Sequence, residues 1–161
     1  MAERVLILGY GNPGRQDDGL GPAAAAAIEQ LGLPNVQIEI DYLLAIENAA
    51  DAAEADLVLF VDAAKSGPEP FEVRELRPSD EIAFTSHLVK PEVILGICRK
   101  CYEREPRASL IAIRGYEFEL EEALSDRARR NLEQAIGYLR STLGVQSLAT
   151  EAQRQRAEQA I

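Results

Sequence analysis

Val5-Leu6-Ile7-Leu8 and Leu57-Val58-Leu59-Phe60-Val61 are short, unbroken apolar runs, the first stopping at Gly9 and the second at Asp62. A strand with one wet face alternates apolar and polar residues, whereas a continuous run needs cover on both faces. Both runs therefore predict strands of a parallel sheet with helices above and below. The segments between and after them supply those helices. One opens near Leu20 with Pro22 in its first turn, where a missing N–H costs nothing, continues through Leu31 and is stopped by Gly32 and Pro34. Val36 to Tyr42, VQIEIDY, alternates and reads as a second, less buried strand, and AIENAADAAEA (45–55) reads as a second helix. After the turn SGPEP, Phe71 to Leu76 reads as an edge strand that pairs antiparallel. A helix is expected from Pro91 to Tyr102, a last strand from Ser109 to Ile113, and a long helix capped by Ser125 that runs through Leu143.

This alternation predicts an α/β fold: a single three-layer α/β/α domain over residues 1–144, with a mostly parallel twisted sheet and one antiparallel edge strand. A chain of 161 residues can bury such a core without staples. Residues 145–161 are polar, with alanines at partly helical spacing, and are expected to form a frayed helix or a disordered extension. The formal charge of −10 and pI near 4.6 speak against a nucleic-acid partner, which calls for a basic face. No apolar stretch approaches the roughly 18 residues of a membrane span. Met1 to Arg4 run straight into the first strand without a signal pattern, and two cysteines fit a reducing compartment, so a cytoplasmic protein is expected.

Ligands of open α/β sheets sit outside the carboxyl ends of the strands. Asp18 follows the first strand and Asp62 ends the third, so topology alone places two carboxylates on one rim. Gly9, Gly11 and Gly14 match the G-x-G-x-x-G pattern of dinucleotide sites, and Glu39 or Asp41 could serve as the ribose-binding acid. Against that reading, the helix waits until about Leu20, and Asp17 and Asp18 would repel a pyrophosphate at the helix end that should attract it. Carboxylates there suit a cation, or cap the helix, with one cap and one ligand as a natural division. His87, the chain's only histidine, lies in TSHLVKPE; alone it reads as a solvated loop residue. Taken with Asp18 and Asp62 it makes a donor set for a borderline divalent ion such as zinc or nickel. Cys98 and Cys101 form a C-x-x-C without a second ligand pair and read as two partly buried helical residues. No serine elbow motif is present.

GYGNPGRQDDGLG, LVLFVDA and TSHLVKPEVIL, in that order and followed by GYEFELEEALSDRARRNLEQAI, resemble the hydrogenase maturation proteases over Val5 to Leu143. These endopeptidases trim the C-terminal extension from the large subunit of nickel-iron hydrogenases. The resemblance implies metal binding by Asp18, Asp62 and His87. It also implies that nickel arrives in the hydrogenase large-subunit precursor, as part of the substrate rather than as a resident cofactor, with the precursor's thiolates completing its coordination. The hydrolytic step stays open between a metal-polarised water or carbonyl and Asp18 or Asp62 as general base. Gly9, Gly11 and Asn12 are candidate substrate contacts, alongside their role in a tight turn. Two other classes stand beside the endopeptidase: a nickel- or zinc-binding protein without hydrolytic activity, and a nucleotide-binding module.

Overall fold

The computed structural model describes residues 2–80 and 89–145. Its elements are β1 (Val5–Tyr10), a 3-10 turn (Pro13–Gly19), α1 (Leu20–Glu29), β2 (Val36–Asp41), α2 (Asn48–Glu54), β3 (Leu57–Ala64), β4 (Phe71–Glu75), α3 (Pro91–Tyr102), β5 (Arg107–Arg114) and α4 (Asp126–Thr142). The strands make one sheet in the order β2-β1-β3-β5-β4. β1 pairs parallel with β2 and β3, β3 pairs parallel with β5, and β4 closes the far edge antiparallel to β5.

Burial explains why the two apolar runs are unbroken. Val5, Ile7, Leu59 and Val61 pack with α1 and α4 on one face, while Leu6, Leu8, Val58 and Phe60 pack with α2 and α3 on the other. Successive strand residues thus enter two separate cores, and no position along the run meets water. β2 lies at an edge, and the alternation expected from its sequence breaks at its carboxyl end, where Glu39 is half-buried and Ile40 and Asp41 are both exposed. No helix among the described residues is long and apolar enough to cross a membrane.

Several boundaries differ from the sequence expectation. β3 does not stop at Asp62 but continues to Ala64, because β5 keeps pairing through Asp62↔Ala112, Ala63↔Ile113 and Ala64↔Arg114. β5 is longer than expected at both ends for the same reason. α2 starts at Asn48 rather than Ala45, since the Asn48 side-chain oxygen takes the Ala45 N–H at 2.8 Å and holds 45–47 as a turn. α1 ends at Glu29, before Leu31. Of the tail expected over 145–161, residues 146–161 lie outside the described residues.

α1 lies unusually close to the sheet. A Cβ on Gly21 would stand 2.4 Å from the Val61 carbonyl oxygen and 2.5 Å from that of Tyr10, and one on Gly9 would stand 2.5 Å from the Gly21 carbonyl oxygen. These obstacles are backbone and cannot swing aside. Gly21→Ala is therefore expected to lift the helix and destabilise the protein by about 1–3 kcal/mol. Gly137→Ala, on α4 with nothing within 4 Å of the added carbon, is expected to be neutral or stabilising by up to about 1 kcal/mol. Urea unfolding of the two variants checks this, and equal midpoints would remove the close-packing argument.

Candidate functional site

The site grows from the exits of β1 and β3 at the carboxyl rim. Beyond Tyr10 the chain turns at Gly11, whose φ of +142° and lack of a Cβ let the Asp18 carbonyl approach; a Cβ there would sit 2.0 Å from that oxygen. Asn12 caps the following 3-10 turn by accepting the Gly14 N–H at 2.9 Å. Its own N–H donates to Asp18 Oδ2 at 2.7 Å. The turn thus folds Asp18 back over the end of β1, half-buried, with one carboxylate oxygen anchored to backbone.

Neither aspartate caps α1. The N-cap is Gly19, with no side-chain hydrogen bond, because the intervening turn carries both carboxylates elsewhere. Asp17 is fully buried and clamps the segment after β5. Its Oδ2 accepts from the Tyr116 N–H at 2.7 Å, the Glu117 N–H at 2.9 Å and the Ser125 hydroxyl at 2.7 Å, and its Oδ1 from the Ser125 N–H at 2.8 Å. Burial alone would push its pKa up. The amides of Glu117, Ser125 and Tyr116 and the Ser125 hydroxyl outweigh that and hold the carboxyl below the ordinary aspartate value. Gln16 extends the clamp by accepting the Glu119 N–H at 3.0 Å. The adjacent aspartates therefore divide into a structural anchor and a rim carboxylate.

Asp62 reaches the same rim from β3, half-buried, with Oδ1 accepting the Ala63 N–H at 2.8 Å. Burial pushes its pKa up to about 7; the Ala63 amide opposes, the nearby negative charge of Asp18 adds, and a hydrogen bond from Tyr10 opposes. Tyr10 is itself pushed far above its usual value by burial and by the charges of Asp62 and Glu92, so its hydroxyl stays protonated and donates to Asp62. Sequence reasoning did not single out Tyr10. The signal was the parallel register: Gly9 lies opposite Val61, which sets the next residue of β1 beside Asp62.

Of the other sequence candidates, Gly9 is buried against α1, Gly11 and Asn12 shape the turn that carries Asp18, and His87 lies outside the described residues. Among the described residues no three His, Cys, Asp or Glu side chains are grouped to hold a metal ion. Cys98 and Cys101 do not act together: Cys98 is buried, with its thiol on the Ala49 carbonyl at 3.4 Å and its pKa raised to about 11 by burial, while Cys101 faces out. What the rim offers is a pair of carboxylates in which Asp18 is anchored by an amide and Asp62 can exchange a proton near neutral pH. Such a pair can hold a cation or activate a water.

No family model matches the chain, and no curated protein matches it in sequence. Solved structures do match. The [NiFe] hydrogenase maturation protease HycI from Thermococcus kodakarensis KOD1 superposes with a TM-score of 0.70 at 23% identity, covering 88% of this chain and 93% of that one. The hydrogenase maturating endopeptidase HybD from E. coli gives 0.69 at 21%, covering 87% and 91%. The fold is that of the hydrogenase maturation proteases. The hydrogenase 2 maturation peptidase from a Thaumarchaeota archaeon adds a third case, with a TM-score of 0.65 at 21% identity over 89% of this chain and all of that one. At the rim of this fold the chain carries the Tyr10–Asp62 hydrogen bond and the Asp17 clamp.

Proposed function

We propose that this protein is a cytoplasmic endopeptidase that removes the C-terminal extension of a nickel-iron hydrogenase large-subunit precursor after nickel insertion. The observation that carries the reading is the opposition of Asp18 and Asp62 on the rim of a maturation-protease fold, close enough that the charge of one raises the pKa of the other. In this reading Asp18, Asp62 and His87 engage the nickel that the precursor brings, which positions the scissile peptide at the rim. Asp62, ionised once the cation is seated, takes a proton from the attacking water as its oxygen adds to the carbonyl, and returns it to the departing amine. Asp18, anchored through one oxygen by the Asn12 amide, presents the other to the cation.

The test is mass spectrometry of nickel-loaded and nickel-free precursor incubated with the protein or with Asp18→Asn. Release of a C-terminal peptide only from the loaded precursor with the unmutated protein is the expected result. Tight nickel-precursor binding without any cleavage would replace the endopeptidase by a metal-binding protein that does not cut.

A further inference from the structure

β2 is an edge strand, and among the described residues nothing pairs with its outer side. At its carboxyl end the chain exposes large apolar side chains in close succession: Ile40 (41% exposed), Tyr42 (70%), Leu43 (59%) and Ile46 (48%). A cavity of about 180 Å³ opens beside them, lined by Gly11, Pro13, Pro22, Ile40, Asp41 and Tyr42. Its inner wall is fixed, because the Gly11 N–H donates to the Asp41 carbonyl at 3.1 Å and continues the β1–β2 ladder by one bond. That wall is also one residue thick: the Asp18 carbonyl packs directly on the Cα of Gly11, on the side where a Cβ would stand. The Asp18 carboxylate is held one residue further on, by the Asn12 N–H at 2.7 Å, so Gly11 and Asn12 lead from the cavity to the rim carboxylate.

We infer that this cavity is the subsite for one apolar side chain of the peptide segment being cut, and that the segment's backbone lies along the open edge of β2. The inference rests on the endopeptidase reading and specifies how that site holds its substrate. Two prolines, an isoleucine and a tyrosine give the cavity walls that reward an aliphatic side chain, and the one ionisable acid in its lining, Asp41, repels a carboxylate. The free ladder groups of an edge strand hold an extended chain through its backbone, whatever its sequence, while the cavity reads one side chain. An extended chain advances about 3.3 Å per residue, so a side chain seated next to Gly11 belongs to a residue close to the scissile bond. A second copy of this protein fits the patch poorly. Asp41 lines the cavity and the chain carries a formal charge of −10, so self-association would set like charges together. The matching segment is apolar at the cavity and free of carboxylates beside it.

Steady-state cleavage of nickel-loaded precursor by the unmutated protein and by an Ile40→Ser, Tyr42→Ser double variant tests this, alongside thermal unfolding and size-exclusion chromatography. The expected result is a KM raised by about 10-fold or more with kcat nearly unchanged, as for lost binding that is equal in ground and transition states. On the substrate side, aspartate replaces in turn each apolar residue flanking the cleavage point. One position is expected to weaken cleavage by the unmutated protein by about 10-fold or more, and much less for the double variant, which has already lost the cavity wall. Equal KM for both proteins, or indifference to every flanking aspartate, overturns the inference while leaving the endopeptidase reading intact. A dimer that the double variant converts to monomer makes the patch a self-interface and also overturns it. Failure of the unmutated protein to cleave overturns both.

Discussion

Asp62→Asn is expected to slow precursor cleavage by roughly 100- to 10,000-fold, the usual worth of a positioned general base. The carboxamide keeps the shape of the side chain and its bond to the Ala63 amide but cannot take a proton. For the unmutated protein, kcat/KM is expected to rise with pH and level off above about 7, where the free Asp62 carboxyl has lost its proton. Tyr10→Phe removes a hydrogen bond that lowers the Asp62 pKa, so the midpoint of that profile is expected to move upward. A pH profile with the same midpoint in both proteins would take Asp62 out of the proton-transfer role. Stability carries the matching signature. The folded pKa of Asp62 lies above its ordinary value of 3.8, so between about 4 and 7 the native state holds more protons than the unfolded one. The stabilising contribution of this group is then present at low pH and lost as pH rises through 7. Asp62→Asn escapes that loss, so its advantage over the unmutated protein in urea unfolding is expected to be small near pH 4 and largest above pH 7.

Asp17→Ala is expected to cost about 3–5 kcal/mol, a large share of the roughly 5–15 kcal/mol that holds a domain of this size folded. The substitution removes the shared acceptor of the Tyr116, Glu117 and Ser125 amides and the Ser125 hydroxyl, and leaves those donors facing a cavity. Ser125 also caps α4 by accepting the Ala128 N–H, so the loss extends from the loop into the start of that helix. Asp17→Asn should fall between, because its amide group turns donors toward donors at one oxygen position. Asp18→Asn, by contrast, keeps an acceptor for the Asn12 N–H and should unfold at nearly the same temperature as the unmutated protein while losing cleavage. Thermal unfolding of the three variants separates the roles of the adjacent aspartates, and a similar loss of stability for Asp17→Ala and Asp18→Asn would erase the distinction.

The residues themselves determined the layers of this protein. Continuous apolar runs at Val5–Leu8 and Leu57–Val61 can exist only with both faces covered, and the structure sends their alternate side chains into two cores. α3 was legible from its start, because Pro91 can open a helix but not continue one, and the structure ends it after Tyr102 as expected, with Glu103 in the left-handed region. The antiparallel edge strand and the Ser125 cap were likewise local signals that nothing overrode. Other features depended on partners distant in sequence. Asp62 lies inside β3 rather than at its end because β5 supplies ladder partners as far as Arg114. Asp17 reads as a helix cap from its position before Leu20, yet its donors lie a hundred residues away, at Tyr116, Glu117 and Ser125. Tyr10 follows the apolar run that stops at Gly9, and only the parallel register makes it the last residue of β1 and sets it beside Asp62. Propensity, capping and periodicity act over a few neighbouring residues and are written in the chain. The pairing register, the burial of a carboxylate and the proton affinity that follows depend on which segments meet, and only the tertiary structure decided them.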